Sequence, residues 1–589
     1  MLDSGVCSLI TAVIYNEQDA LRFLKDRPAV DRLLPLTPNA LAVLADVDLP
    51  KLNTLKLYTD YGHRRVIARA RRMECKLWLA LEKESQLSLA SCESMWGVLH
   101  QMMMTTLRLW YTLRSVGGSL LLMEQQGWKH YDCLEDSHAA LLSHIASHPP
   151  FHQIFWGDPY LTKIVIWINK IICQMSGRKK VLMLTGKGYG FPSLIMRARQ
   201  LFPKLIIMTV RGSSGKWKDL LVTLLNLFKI IINNKQMVAV TVVPVPSSIA
   251  KKRVKFLLNL IDDPVLQKGV DVYYEFLVQN IALTDGLKNA VEQFWIQLRP
   301  KMLIAHTLRW WGDAAMGEVA KNSNTPSILI SHGSHPKFDD APAINEHQYL
   351  AQGMLVSPLA TICLMQSPQA ELGVAQYAPN APTRRVCPIM WGDRNLPVRT
   401  KRTEARYILH AGTYKTWSAY RPWIYETSDE FVHGLKLLIL ACQGLEKTKL
   451  IIRIRPESEC SIGTLKKLLP ESDCYEIKTS GAFLDDLSRA DLLVSFSSTT
   501  IEEALYARCP VLLWGGSLRY KHLPAREIAP TIHDRSAVYA PSTKKELGPL
   551  LRAILDVHAG IPLKDTELKD FVWPENIPGI DELLTEYLK

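Results

Sequence analysis

Five hydroxyl side chains crowd one short stretch of this chain: Ser495, Ser497, Ser498, Thr499 and Thr500. They stand between an apolar run, Asp491–Phe496, and a helix-forming run, Ile501–Arg508. An apolar run of that length reads as a strand buried in a parallel sheet. Thr499 with Glu502, and Thr500 with Glu503, have capping-box spacing, so the helix is expected to open directly after the hydroxyls. Such a helix start offers free N–H groups and partial positive charge, and the hydroxyls suit it to a phosphate. The same residues could simply cap the helix and turn the chain. Open α/β sheets bind ligands at this position, which favours the binding role.

Other reactive types fall at comparable places. Apolar run Ser327–Ser331 leads into SHGSHPK, which sets His332, His335 and Lys337 at a strand's carboxyl end, where substrate chemistry collects in α/β domains. Lys180–Leu184 leads into TGKGYG, with Gly186, Lys187 and Gly188. Its spacing matches neither the dinucleotide fingerprint nor the phosphate loop, so it reads as a tight turn or a place of close substrate approach. Tyr407–His410 leads into a loop at Gly412, and Leu450–Ile454 carries Arg453 into Arg455-Pro456-Glu457. Asp46-Val47-Asp48 has no flanking strand and is read as surface loop, with no metal expected.

The elements that must hold these residues read as α/β. At 589 residues the chain needs two or three cores. Residues 1–395 read as a first α/β domain with a largely helical insertion at about 61–150, and 396–570 as a second, reached through the polar linker Met390–Tyr407. Residues 571–589 end in a helix expected to fold back on the first domain. The Met-rich run Gln101–Met104 reads as core packing. Net charge is +13, which favours anionic partners, and the Lys and Arg residues are interleaved with acids, which argues against nucleic acid. Eleven cysteines stand singly, as in a reducing compartment. Neither a signal peptide nor a transmembrane run is recognised, so a cytoplasmic protein is expected. Lys216–Lys235 reads as a buried helix or as a segment lying on an anionic membrane face.

SHGSHPK, IRIRPE and SRADLLVSFSSTTIEEALYARCPVLLW occur in that order. Together they resemble the GT-B glycosyltransferases of bacterial surface polysaccharide assembly, chiefly those using CMP-linked Kdo or sialic acid, and the surface carbohydrate biosynthesis proteins. The resemblance is clearest over roughly residues 300–520. It implies two Rossmann-like domains facing a cleft, a nucleotide-sugar donor held mainly by the second, and no metal or other cofactor. It implies that Ser497, Ser498, Thr499 and Thr500 hold the donor phosphate, Glu503 the ribose, and Arg453, Arg455 and Gly412 the rest of the nucleotide. CMP-using relatives have His-Pro where this chain has Arg455-Pro456-Glu457; a guanidinium can grip phosphate bidentately. His332-Gly333 resembles a His-Gly pair of capsule transferases, which makes His332 a candidate base for the acceptor hydroxyl, with Asp313 as the carboxylate alternative. A loop-fixing histidine has an equal claim at His332. Gly186, Lys187, Gly188, Gly333 and Lys337 are the candidate substrate-loop residues. The implied acceptor is a glycan or lipid-linked glycan, met at the inner face of an anionic membrane. Two other readings stay open: transfer of glycerol phosphate from CDP-glycerol, and a degenerate transferase that only binds glycan or a partner.

Overall fold

The structure is a computed structural model of the chain. It describes residues 9–83, 88–117, 120–147, 164, 167–168, 171–172, 174, 180–185, 191–212, 221, 224–225, 238–242, 249–331, 333–389, 391, 405–412, 421, 423–455, 460–574 and 576–589. His332, the Gly186–Gly188 loop, most of Lys216–Lys235 and most of the linker lie outside the described residues.

The described residues build three sheets. In the first, β1 (Ile10–Ile14) pairs parallel with β2 (Arg32–Pro35) and with β3 (Leu120–Glu124), and β4 (Trp128–Tyr131) closes an antiparallel hairpin on β3. The 61–150 stretch, expected to be mainly helical, holds the helices Asp60–Lys83, Leu89–Val116 and Leu134–Ser147, with a hairpin between the last two. That hairpin pairs with the chain's opening strand, which does not join the sheet of the following domain. The Arg32 side chain helps fix this, donating to Thr11 Oγ1 at 2.8 Å and to Val116 O at 3.2 Å. Helix Leu89–Val116 is buried almost all round, Met102, Met103 and Met104 included, and packs on Asp60–Lys83, Pro264–Leu298 and Trp311–Asn322. A helix buried on all faces is a core helix, and this one carries Glu93, His100 and Arg108 into the core with its apolar residues.

The second sheet holds β5 (Val181–Leu184), β6 (Ile206–Gly212), β7 (Val238–Val242), β8 (Met302–Ala305), β9 (Ser327–Ile330), β10 (Ile362–Met365) and β11 (Thr383–Arg385), in the order β11-β10-β9-β8-β5-β6-β7. The third holds β12 (Arg406–Ala411), β13 (Thr448–Arg453), β14 (Tyr475–Lys478), β15 (Leu492–Ser495), β16 (Val511–Leu513) and β17 (Val538–Tyr539), in the order β14-β13-β12-β15-β16-β17. Every pairing in both sheets is parallel. Their central strands, such as VLML, MLIA and LLVS, are wholly buried, as expected where helices cover both faces. Two Rossmann-like sheets make the fold α/β and GT-B-like. In each the strand order reverses once, between β5 and β8 and between β12 and β15, and open sheets bind ligands beyond the carboxyl ends at such a point.

The last helix, Ile580–Leu588, lies on the seven-stranded sheet's unit. Leu583, Leu584 and Leu588 share a core with Leu182, Ile207 and Ile304. Lys180 Nζ donates to the carbonyls of Leu588 and Lys589, and Arg197 pairs with Asp581. No helix among the described residues is long and apolar enough to cross a membrane.

Candidate active site

On the second domain, the hydroxyl loop is fastened over the reversal point. Ser495 Oγ donates to Ala411 O at 2.7 Å, and Thr500 Oγ1 reaches the same carbonyl at 3.5 Å. The ends of β12 and β15 are thus tied side by side, with Gly412 leaving one and Ser497 the other. Ser497 is buried, whereas Ser498, Thr499 and Thr500 are partly exposed. A Cβ at Gly412 would come to 3.0 Å of both His410 Cε1 and Phe431 Cε2, so the chain passes closely over those rings.

The capping differs from the sequence expectation. The helix runs Thr500–Tyr506, and Thr499 at its N-cap has helical backbone and makes no side-chain cap hydrogen bond. Ser498 Oγ accepts from Thr500 N at 3.3 Å. Glu502 is drawn elsewhere: its Oε1 accepts Ser334 N of the first domain at 2.9 Å and lies 3.6 Å from His522 Nε2. Burial raises the carboxyl of Glu502, but His522 and the Ser334 amide outweigh that and hold it below its usual range.

The two arginines part company. Arg453 is turned to its own domain, donating to Asp486, to Gly481 O at 2.7 Å and to Ala482 O at 3.3 Å. Asp486 also takes Lys478 Nζ at 3.0 Å. Arg455 is exposed just past β13, one strand from the reversal point. Glu503 is half-buried on the short helix.

On the first domain, the loop after β9 is pinned on several sides. Ser331 Oγ donates to Gly333 O, Gln366 Nε2 to Ser331 O, and Tyr377 OH to Pro336 O, all within 2.9 Å. Ser334 Oγ and Ser367 Oγ are 3.0 Å apart. Lys337 is exposed. Asp313, half-buried on the helix after β8, has its carboxyl pushed up to about 7 by burial.

Beside Gly333 the loops that follow β9 and β15 meet. A Cβ there would stand 3.5 Å from Thr499 Cγ2 and 3.6 Å from Glu502 Oε1. The two motifs, far apart in sequence, meet edge to edge at the carboxyl ends of their sheets.

Behind that contact runs a buried polar line that sequence reasoning missed. His522 Nδ1 and His347 Nε2 each lie 2.8 Å from Tyr520 OH, and His347 stacks on Phe338 with ring centroids 4.4 Å apart. Burial, then His335, His522 and Arg421, hold His347 well below the usual histidine range. Glu346, beside it, accepts Trp423 N and Ile424 N of the second domain, each at 3.0 Å. No sequence signal points to these residues: Tyr520 and His522 pair two residues apart, but His347, to which Tyr520 joins them, lies 173 residues away, and Glu346 meets Trp423 N across 77. Asp60, His63 and Glu430 lie close enough to share a cation, but the Arg519 guanidinium already pairs with Glu430 and stands 3.6 Å from Asp60.

Glu426, whose Oε1 accepts Gly516 N at 2.9 Å, gives a pH test. Burial pushes its carboxyl up to about 8 from an ordinary 4.5; the Gly516 amide opposes this, Glu430 adds to it and Arg519 opposes it. The folded chain therefore keeps a proton that the unfolded chain has released. The stability this gives is full below the unfolded carboxylate range and falls as pH rises toward the folded value. Buried His63, His347 and His410 have lowered folded values, so they take stability away only as pH falls below the ordinary histidine range. Between about pH 6.5 and 8.5 the melting temperature is expected to fall, and Glu426→Gln to flatten that fall. An identical slope in both proteins would remove Glu426 from this account.

No family model matches the chain, and no curated protein matches it. Among solved structures it is similar to MnaA of S. aureus in a co-structure with UDP, at 12% identity and a TM-score of 0.39, over 70% of this chain and 96% of that one. It is similar to Arabidopsis thaliana UGT89C1 complexed with UDP-L-rhamnose, at 10% identity and a TM-score of 0.35, over 70% and 100%. It is also similar to the wall teichoic acid polymerase TagF, at 10% identity and a TM-score of 0.32, over 77% and 98%. At these scores the likenesses assign neither substrate nor chemistry to this chain.

Proposed function

We propose that the protein is a glycosyltransferase that moves a sugar from a nucleotide donor to a surface glycan or lipid-linked glycan, working in the cytoplasm at the inner face of the membrane. The observation that carries this reading is the meeting of the His-Gly loop with the hydroxyl loop at Gly333 and Thr499. A donor laid across the β12/β15 reversal would have its phosphate against Ser497, Ser498, Thr499 and Thr500, with Arg455 supplying positive charge. Glu503 is the candidate for the ribose. In this reading the anomeric carbon faces the first domain, where His332 takes the acceptor proton; Asp313, with its raised carboxyl, is the alternative base. Departing phosphate charge would be offset by donors already in place, which spares reorganisation during the reaction. Of the candidate arginines, Arg453 contributes through Asp486 and the domain's own stability. A CMP-linked acidic sugar is the proposed donor class.

The test is separate incubation of the full chain with CMP-Kdo, CMP-sialic acid and CDP-glycerol, with nucleotide release measured. Release of CMP from one of the two sugar donors is the expected result. Release from CDP-glycerol alone would replace glycosyl transfer by glycerophosphate transfer. Release from none would leave a binding protein and defeat this donor class.

A further inference from the structure

We infer that Glu502 is a positioning residue: from the second domain it sets the conformation of the first-domain loop that carries His332. The inference rests on the proposed function for its catalytic meaning, but the coupling it describes is a property of the fold alone.

The geometry is one-sided in a telling way. Glu502 is on the same short helix as Thr500 and Glu503, next to the hydroxyl loop, yet its carboxylate leaves that helix and crosses the domain boundary. It takes the backbone N–H of Ser334, two residues after His332, at 2.9 Å in a buried setting. Glu502 Oε2 is also buried and has no hydrogen-bond partner among the described residues. A buried carboxylate that forgoes its own helix cap is retained at a cost, and the amide it holds is the compensation. A Cβ at Gly333 would already sit in contact with Thr499 and Glu502, so a long side chain there would press on both. His522, 3.6 Å from the same oxygen, and Tyr520 behind it hold the carboxylate in place and link it to His347 of the first domain. The hydroxyl loop and the His332 loop thus move as one unit, and the two halves of the site are assembled together or not at all.

The experiment is hydrogen exchange, followed by mass spectrometry, on the full chain without nucleotide, reading the peptides that cover residues 330–338. Glu502→Ala is expected to speed exchange there by roughly tenfold or more, the loss of a hydrogen bond to a charged acceptor. Peptides from β8 and β15 should keep their rates. Glu502→Gln, which keeps an oxygen for the Ser334 amide, is expected to stay within about threefold of the parent. Gly333→Leu separates the same contact from the other side and should reproduce the alanine effect; it decides the matter if Glu502→Ala does not fold. Unchanged exchange over 330–338 in Glu502→Ala, or in Gly333→Leu, overturns the inference. So does a glutamine variant as fast as the alanine one. Because no nucleotide is present, a chain that binds no donor would defeat the proposed function and leave this coupling intact.

Discussion

Arg519→Ala is expected to cost the protein about 3–5 kcal/mol of stability, because it strands the buried carboxylate of Glu430. The guanidinium is almost wholly buried and makes a paired contact with Glu430, the Nη2–Oε2 arm at 2.8 Å. It also donates to Trp423 O at 3.2 Å and to Tyr425 O at 3.0 Å, closing the Trp423–Glu430 segment over the sheet. The exposed Asp60 carboxylate, 3.6 Å away, adds attraction. Arg519→Lys should recover only part of the loss, since an ammonium cannot make the two-armed contact or serve both carbonyls. Urea unfolding of the three proteins measures this. A loss under about 1 kcal/mol in the alanine variant would mean that the network is solvated, contrary to the burial described.

Arg455→Ala is the second large effect, on activity and not on stability. If Arg455 faces the donor phosphate, its removal should lower transfer by roughly 10²–10³-fold. It is exposed, so the folded state should barely notice. Arg453→Ala should do the reverse: it releases Asp486 and the Gly481–Ala482 loop, lowers the melting temperature, and affects turnover only through stability. Paired thermal melts and transfer assays separate the two. Equal loss of transfer in both variants at a temperature where both are folded would show that the present division of labour is mistaken.

These two residues also show what could be read in the sequence. Arg453 ends β13 and Arg455 stands just past it, and the two looked equivalent; only the fold reveals that Asp486, 33 residues on, claims the first of them. Strands β5, β9, β12, β13 and β15 of the two parallel sheets were legible because strands covered on both faces are apolar along most of their length, as VLML is. The hydroxyl loop was legible for the same reason, since it directly follows such a run. The four-stranded sheet was hidden, because β3 is separated from β2 by two long helices and pairing partners that distant leave no local pattern. The capping-box reading of Thr499 and Glu502 failed on a tertiary competitor: the Ser334 amide, 168 residues away, takes the carboxylate that the cap would have used. His347 and the Tyr520–His522 pair carried no signal because the contact that joins them spans 173 residues.

The central claim is that a nucleotide-bearing donor rests on the second domain between Gly412 and Thr500. A thermal melt of the full chain with CMP, CDP, UDP and GDP tests it most directly. A ligand that binds only the folded state at about a hundred times its Kd adds roughly 2.7 kcal/mol, enough to move the midpoint by a few degrees. CMP or CDP is predicted to raise the melting temperature, and the combined Ser498→Ala, Thr499→Ala variant to lose that shift. Four nucleotides that leave the melt unmoved would contradict the account.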